Sequence, residues 1–199
     1  MENTNLNTLI SKIENPNLRA CCEKIYKYPE FFEWPGSISQ HHNRPEGLIE
    51  HTIEVADYAL HQSLIFPAAK KDIIITAALW HDLAKIWDYE LITVFEGSPP
   101  PRRFLLDQNF GHYKKGWTST EFYKSVHHIT GSNCEFTHHA LNCGVDRKTT
   151  QEVQGCIASH HGRREFGSPV EPRSLEAYIL SQADMLSAHY GAWKDKKPE

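Results

Sequence analysis

Apolar residues recur at the 3.6-residue spacing of an α-helix along most of the chain. The pattern predicts helices over residues 4–14, 17–28, 47–65, 71–87, 119–130, 134–143, 149–161 and 174–190. Start signals support this interpretation: Thr149 and Glu152 have the spacing of a capping box, and Ser174 is suited to be an N-cap. The sequence therefore predicts an all-α, or at least predominantly helical, fold.

One stretch departs from the helical pattern. In LITVFEGSPPPRRFLLDQ, residues 91–108, β-branched and aromatic residues flank a Gly/Ser/Pro turn. This arrangement is typical of a β-hairpin, and we interpret residues 88–127 as an insertion on a helical body. The chain of 199 residues has no linker rich in Gly or Ser. A single domain over residues 1–199 is therefore predicted.

The overall charge limits the kinds of partner. The net charge of −4 gives no global basic field of the kind that drives sequence-independent nucleic-acid binding, so any such contact must be local. No segment reaches the roughly 18 apolar residues that span a bilayer, and the N-terminus lacks the pattern of a signal peptide. We expect a cytoplasmic protein with no membrane partner. The sequence gives no sign of its oligomeric state.

Histidine is the anomaly of the composition, with thirteen in the chain. It is the commonest metal ligand near neutral pH. The five cysteines form no C-x-x-C pair and are expected to be reduced thiols. A zinc site built from Cys134, His138, His139 and Cys143 is an alternative. Their spacing would scatter the side chains around a helix, however, which favours ordinary packing.

The segment KKDIIITAALWHDLAKIW is apolar on nearly all sides, which predicts a buried helix with His81 and Asp82 in its middle. An ionised aspartate is strongly penalised there unless something neutralises it, and a divalent cation does so effectively. A salt-bridged Asp82 beside a core histidine is the alternative. This dipeptide alone does not decide between the two interpretations.

Three other polar residues are predicted to face inward. His51 lies at the edge of the apolar stripe of its helix, and His160 continues the i, i+3, i+4, i+7 pattern that begins at Val153. Asp184 lies in a helix made otherwise of apolar and small residues. Two inward-facing acids among inward-facing histidines predict a metal site.

The ordered set of His51, His81-Asp82 followed by Leu-Ala-Lys, downstream histidines and a late Asp184 resembles the HD superfamily of metal-dependent phosphohydrolases. The strings HHNRPEGLIEHTIEVA and ASHHGRREFGSPVEPRSLEAYILSQADMLSA are similar to the HD domain of YhaM-type 3′→5′ exoribonucleases. The resemblance covers residues 38–191, the predicted HD core, and implies a helical bundle with a small inserted β-hairpin. The first 37 residues predict helices rather than the OB-type domain that these exoribonucleases usually carry.

The resemblance implies ligands for two divalent cations. The first cation would be held by His51, His81, Asp82 and Asp184, and Asp82 would bridge to a second held by His128, His160 and His161. His128 lies where the family shows G-H-I, with His127 in the place of the glycine. Histidine-rich sites suit Mn²⁺, Fe²⁺, Co²⁺, Ni²⁺ or Zn²⁺ better than Mg²⁺, and Mn²⁺ is the first choice on resemblance.

The family pattern also assigns roles toward the substrate. Asp82 and Lys85 are the predicted catalytic residues, with Lys85 meeting a phosphate oxygen; a solvated lysine at the helix end is the alternative. His41, His42 and His112 are further candidates for substrate contact. Arg163 and Arg164, and Arg102 and Arg103 at the hairpin tip, are candidates for binding further phosphates, and solvated loop charges are the equal alternative. His61 and His189 are assigned no role.

These features predict a phosphodiesterase or nuclease that attacks nucleic-acid ends or small phosphodiesters with a water molecule activated by two metals. Its partner would be a nucleotide or a nucleic acid. One alternative on the same scaffold is a nucleotide phosphomonoesterase or triphosphohydrolase. Another is a non-catalytic binding protein that keeps the HD fold.

Overall fold

The computed structural model describes residues 5–95, 97–99, 101 and 104–194, and its helices confirm the predominantly α-helical fold. The helices are α1 (Leu6–Ser11), α2 (Pro16–Cys22), α3 (Gly47–Ser63), α4 (Lys71–Trp80), α5 (Lys85–Asp88), α6 (Glu121–Ser125), α7 (His128–Asn142), α8 (Arg147–Ala158) and α9 (Leu175–Lys194). Short 3-10 helices cover Glu23–Lys27, Pro29–Phe32 and Arg164–Phe166. The strands are β1 (Tyr89–Phe95), β2 (Phe104–Phe110) and β3 (Tyr113–Ser119).

Helix α4 runs through the centre of the hydrophobic core and packs against α3, α8 and α9. Each of its residues from Ile73 to Trp80 is buried, as its apolar sequence predicts. A fully buried isoleucine or leucine side chain contributes about 1.5–3 kcal/mol relative to an exposed one, so this helix anchors its neighbours. The core extends over α1 and α2 as well. A single domain over residues 1–199 stays a prediction.

The predicted unbroken helix over residues 71–87 is wrong in its middle. Helix α4 ends at Trp80, residues 81–84 form a turn, and α5 follows. The turn is tight because Leu83 N–H donates to Trp80 O over 3.3 Å and Lys85 N–H donates to Asp82 O over 3.0 Å, both with i→i+3 spacing. His81 and Asp82 therefore lie at the end of a buried helix.

The predicted helix over residues 119–130 is also divided. His127 has a φ of 69°, which ends α6 and starts α7 at His128. This left-handed conformation gives a physical reason for the glycine in the family's G-H-I string, because glycine adopts it without strain. The helix starts differ in detail as well: Asp146, rather than Thr149, caps α8, whereas Ser174 Oγ accepts from Ala177 N at the start of α9.

The insertion folds as a three-stranded antiparallel sheet with the order β1-β3-β2. A hairpin is present, but β2 and β3 form it around Gly111 and His112, whereas β1 pairs with β3 instead of β2. At its base the sheet packs on the helical body through a cluster of Trp117, Tyr89 and Ile38. Arg102 and Arg103 lie outside the described residues.

Candidate metal centre

The seven predicted metal ligands come from five parts of the fold. They are His51 of α3, His81 and Asp82 in the turn after α4, His128 at the start of α7, His160 and His161 in the turn after α8, and Asp184 of α9. Their ligand atoms form two groups, within each of which all atoms lie within 4.8 Å of one another: His51, His81, Asp82 and Asp184, and Asp82, His128, His160 and His161. Asp82 belongs to both groups.

The spacing of the ligand atoms in the first group fits a bound cation. His51 Nε2 lies 3.3 Å from His81 Nε2 and 3.1 Å from Asp184 Oδ1. Asp82 Oδ2 lies 3.4 Å from His51 Nε2 and 3.2 Å from His81 Nε2. Ligands about 2.1 Å from one metal ion are roughly 3.0–3.4 Å apart, so these distances need little adjustment.

The second group uses the other oxygen of the same carboxylate. His128 Nε2 and His160 Nε2 each lie 3.5 Å from Asp82 Oδ1. One oxygen of Asp82 therefore faces each group of histidines. This one carboxylate could therefore contribute an oxygen atom to each group.

Hydrogen bonds fix which nitrogen of each ring faces the centre. His81 Nδ1 lies 2.7 Å from Ala78 O, and His160 Nδ1 lies 2.7 Å from Ile157 O. A carbonyl oxygen only accepts, so each Nδ1 carries the hydrogen and each Nε2 keeps its lone pair for a ligand. Both histidines follow the last turn of a helix and use a carbonyl three residues earlier, which explains why the two turns present their rings alike.

The other two rings of the second group are anchored in the same way. His161 Nδ1 lies 2.9 Å from Phe166 O, and His128 Nδ1 lies 2.8 Å from Asp88 Oδ2. Each contact leaves Nε2 of the ring free toward Asp82. The histidines are thus oriented as metal ligands commonly are, by hydrogen bonds from the opposite nitrogen.

Several polar atoms at the centre are buried without a hydrogen-bond partner. His128 Nε2, His160 Nε2 and Asp82 Oδ1 have none among the described residues. A buried polar atom left in this state costs about 1–3 kcal/mol. A cation between these nitrogen and oxygen atoms would satisfy all three at once, so the residues fit a metal ion.

The charges of the site also favour a cation. Burial alone would raise the pKa of Asp82, but His81 and Lys85 hold it well below its ordinary value. Burial likewise opposes ionisation of Asp184, and its contact with His51 lowers the pKa of that carboxyl. Burial lowers the pKa of His128 well below its ordinary value. Two ionised carboxylates therefore lie among buried histidine rings.

Residues 48–189, more than half of the chain, match the model of the HD domain family. The chain belongs to the HD domain family. This confirms the resemblance that the sequence motifs indicate.

This HD domain is also similar to the 3′–5′ exoribonuclease YhaM of Bacillus licheniformis. The two are 25% identical over 181 residues, which are 90% of this chain and 51% of the relative. The chain thus spans about half the length of that protein. No solved structure matched the chain. The family and the relative support a metal-dependent phosphohydrolase or nuclease in the broad sense.

Lys85 is part of the centre of this HD domain. Its Nζ lies 2.6 Å from Asp82 Oδ2, and its side chain is buried. Burial alone would lower the pKa of Lys85, but the charge of Asp82 raises it, so the amine is protonated. Lys85, His161 and Asp184 line a cavity of about 630 Å³, together with Gln40, His41, Phe166, Met185, Ala188, His189 and Ala192. The cavity therefore opens directly on the ligand groups.

The predicted substrate contact of His42 does not agree with the structure. His42 is 1% exposed, and its Nε2 lies 3.1 Å from Glu54 Oε2. Its neighbour His41, also a predicted candidate for substrate contact, lines the cavity, as does His189, for which the sequence predicts no role.

The other predicted substrate contacts are not among the residues that line this cavity. His112 is exposed at the turn between β2 and β3. It is roughly 20 Å from the base of the sheet, because each residue of a strand rises about 3.3 Å. Arg163 and Arg164 are exposed, and Arg164 lines a different cavity with Lys70 and Arg173. Arg163 lies between His161 and Phe166, which both line the first cavity, so its contact with a substrate stays a prediction.

The alternative zinc site finds no support among the described residues, where Cys134, His138, His139 and Cys143 form no group of metal-ligand atoms.

The residues that anchor the ligands are those that the sequence interpretation missed. Asp88 holds His128, and Ser187 holds His51 over 2.9 Å. Ser187 did carry a signal, since it lies three residues after Asp184 on the same face of α9. No helix in the described part of the chain is long and apolar enough to cross a membrane.

Proposed function

We propose that this HD domain hydrolyses phosphodiester bonds at nucleic-acid ends or in small phosphodiesters, using two divalent cations. The observation that carries the proposal is the position of Asp82, whose two carboxylate oxygens face two separate groups of histidine nitrogens. A buried carboxylate that offers one oxygen to each of two ligand groups suits a pair of cations about 3.5–4 Å apart, as in many enzymes that cleave phosphate esters.

We assign the first cation to His51, His81, Asp82 and Asp184, and the second to Asp82, His128, His160 and His161. Mn²⁺ is the first choice, and Fe²⁺, Co²⁺, Ni²⁺ and Zn²⁺ are the alternatives, because imidazole-rich sets favour these ions over Mg²⁺. When bound, such a pair lowers the pKa of a water molecule toward neutrality and withdraws charge from the phosphoryl oxygens.

The protein's own groups would position the substrate. Lys85 Nζ lies beside Asp82 Oδ2 and on the cavity wall, so it can move from the carboxylate to a non-bridging phosphate oxygen once cations neutralise Asp82. His161 and Asp184 lie on the same wall, which places the phosphate next to both ligand groups. Most of the centre is buried, so few water molecules would compete there with the substrate.

Two observations favour a nucleotide-containing substrate. The relative from Bacillus licheniformis is an exoribonuclease, and the cavity of about 630 Å³ has a size suited to a nucleotide. The net charge of −4 argues for contact with a chain end or a short oligonucleotide rather than with a long strand. A cytoplasmic location stays a prediction.

The test is a substrate panel assayed with Mn²⁺. It compares bis(p-nitrophenyl) phosphate with p-nitrophenyl phosphate, and short oligonucleotides with mononucleotides and nucleoside triphosphates. We expect diesters and oligonucleotides to be turned over faster than monoesters. Turnover of monoesters or triphosphates alone would replace the proposal by the phosphatase alternative. No hydrolysis with Mn²⁺, Co²⁺ or Ni²⁺ would favour the non-catalytic binding protein.

A further inference from the structure

His42 is buried at a point where the surrounding backbone leaves room for its side chain. Its φ is 50°, in the left-handed region that a histidine rarely adopts. Three glycines surround it: a Cβ on Gly36, Gly47 or Gly191 would lie 3.0, 2.0 or 2.6 Å from an atom of His42. Residues held in strained conformations are common at functional sites. The strained backbone of His42 therefore indicates a role, and this role is not the predicted substrate contact because the ring is buried.

The ring of His42 belongs to a chain of hydrogen bonds between the cavity and the metal centre. His41 Nδ1 lies 2.9 Å from His42 Nδ1, and His42 Nε2 lies 3.1 Å from Glu54 Oε2. The same oxygen accepts the hydroxyl of Ser187 over 2.8 Å, and Ser187 Oγ lies 2.9 Å from His51 Nδ1. Two chains of hydrogen bonds, one from His41 and one from His51, therefore end at Glu54 Oε2.

The donors and acceptors of these chains can be assigned in only one consistent way with neutral rings. Glu54 Oε2 accepts, so His42 donates from Nε2 and Ser187 donates its hydroxyl hydrogen. Ser187 Oγ then accepts from His51 Nδ1, and His42 Nδ1 accepts from His41 Nδ1. His51 and His41 both keep their lone pair on Nε2. For His51 this nitrogen faces Asp82 and Asp184, and His41 lines the cavity.

We propose that Glu54 is a positioning residue for two histidines: through Ser187 it orients the metal ligand His51, and through His42 it makes His41 Nε2 an acceptor for a hydroxyl group of the substrate. The inference rests on the proposed metal centre, since it gives His51 the role of a ligand. A hydroxyl donor, such as that of a sugar, is the partner that a neutral nitrogen lone pair on the cavity wall recognises.

Another interpretation of the same cluster is a third cation held by His41, His42 and His51, whose ring nitrogens also lie within 4.8 Å of one another. In that case the two Nδ1 atoms would be ligands rather than a donor and an acceptor. The number of cations bound per chain separates the two interpretations. Two cations agree with the proposal, whereas three would overturn it.

The first test interrupts only the hydrogen bonds that lead from Glu54 to His51. In Ser187→Ala, His51 loses the acceptor of its Nδ1 hydrogen, and we expect Mn²⁺ to bind 10- to 100-fold more weakly, as for other residues that orient metal ligands. Calorimetric titration of the full chain with Mn²⁺ measures this without relying on activity. Ser181→Ala is the matched control, because Ser181 is also buried on α9 but its hydroxyl lies next to Gly162. Equal affinities of Ser187→Ala and the natural chain would refute the link to His51.

The second test uses Glu54 itself. Glu54→Gln can keep an acceptor oxygen at the same place, whereas Glu54→Ala removes it. We expect the alanine variant to weaken Mn²⁺ binding by at least as much as Ser187→Ala, and the glutamine variant to restore most of it. Asp57→Ala, on the same helix but beside His61, is the control that should bind Mn²⁺ normally. Similar losses in Asp57→Ala and Glu54→Ala would refute the specific role.

The third test reads the ring of His41 directly. Nitrogen-15 chemical shifts of the histidines in Zn²⁺-loaded protein show which ring nitrogen carries the hydrogen. We expect His41 to carry it on Nδ1 in the natural chain and in Ser187→Ala, and to become a mixture of both forms in Glu54→Ala. A hydrogen on Nε2 of His41 in the natural chain would overturn its role as an acceptor. If the natural chain binds no cation at all, the proposed function fails instead, and the two failures are distinguishable.

Discussion

The metal centre and the three-stranded sheet are held together in opposite ways. At the centre the ligand side chains are almost all buried, and a hydrogen bond at Nδ1 fixes each histidine ring. The sheet is buried only at its base, where Trp117 is 3% exposed, and its outer part presents Phe95 at 55% and Tyr113 at 49% exposure. The fold thus holds the candidate ligands in fixed positions and leaves a largely exposed sheet attached beside them.

The two regions meet at Asp88. Its side chain bonds His128 of the metal centre, and its carbonyl oxygen accepts Thr120 N over 2.9 Å at the end of the sheet. The two regions should therefore respond differently to mutation. Damage to the centre should abolish metal binding and leave the sheet folded, whereas damage to the sheet away from Asp88 should leave the cations in place.

The largest effect is expected for Asp82→Ala. Both ligand groups lose their shared member, so we expect fewer than two cations per chain and a fall in hydrolysis of about 10³-fold or more. Metal analysis of the dialysed protein and steady-state assays measure these losses. The matched control is Asp107→Ala on β2, which should retain both cations. An Asp82→Ala variant that still binds two cations would show that this carboxylate does not bridge them.

The next effect tests the attachment of the sheet. Trp117 packs with Tyr89 and Ile38 and forms an edge contact with Trp34 at a centroid distance of 6.2 Å. Trp117→Ala should therefore cost about 3 kcal/mol of the stability of the sheet. Hydrogen exchange should show faster exchange over β2 and β3, while the metal content stays at two per chain. Loss of metal in this variant would mean that the sheet and the centre are not separable.

Lys85→Ala should give a smaller effect of a different kind. Removal of the ammonium group should lower kcat by about 10²-fold, equivalent to about 2.7 kcal/mol of transition-state stabilisation, if Lys85 contacts the phosphate. Metal affinity should be unchanged or higher, because Asp82 loses a competing cation. Lys115→Ala on β3 is the control for charge alone. A kcat equal to that of the natural chain would favour the solvated or structural interpretation of Lys85.

The difference between the two regions also explains what the sequence could predict. The positions of His51, His160 and Asp184 followed from helical periodicity, because a buried face determines which side chains point inward. The break after Trp80 did not follow, since the i→i+3 backbone hydrogen bonds of the turn, and the bond between the His81 ring and the carbonyl of Ala78, leave no mark on the apolar pattern. Local patterns describe such a segment as a continuous apolar helix.

Contacts between distant segments were the least predictable. His51 and Ser187 are 136 positions apart, and His128 and Asp88 are 40 positions apart, so no local spacing connects them. The strand order β1-β3-β2 was missed for a related reason. Glycine and proline mark the turn after β1 clearly, but pairing is decided by β3, which lies between the two expected partners.

The smallest effect is expected at the tip of the sheet, and it tests how far the sheet is independent of the centre. Phe95 and Tyr113 face each other across β1 and β3 with ring centroids 5.2 Å apart and an interplanar angle of 71°. An edge-to-face pair of this kind contributes about 0.5–1.5 kcal/mol, and less where water surrounds it. Phe95→Ala, Tyr113→Ala and the double variant form a cycle whose coupling energy, from urea denaturation, should therefore be under about 1 kcal/mol. Mn²⁺ affinity should be the same in all three variants, because no ligand or anchor of the centre lies beyond Asp88 on the sheet among the described residues. If the Mn²⁺ affinity changed in proportion to the coupling energy, the tip of the sheet would affect the cation site. The contrast between a rigid centre and a loosely attached sheet would then be wrong.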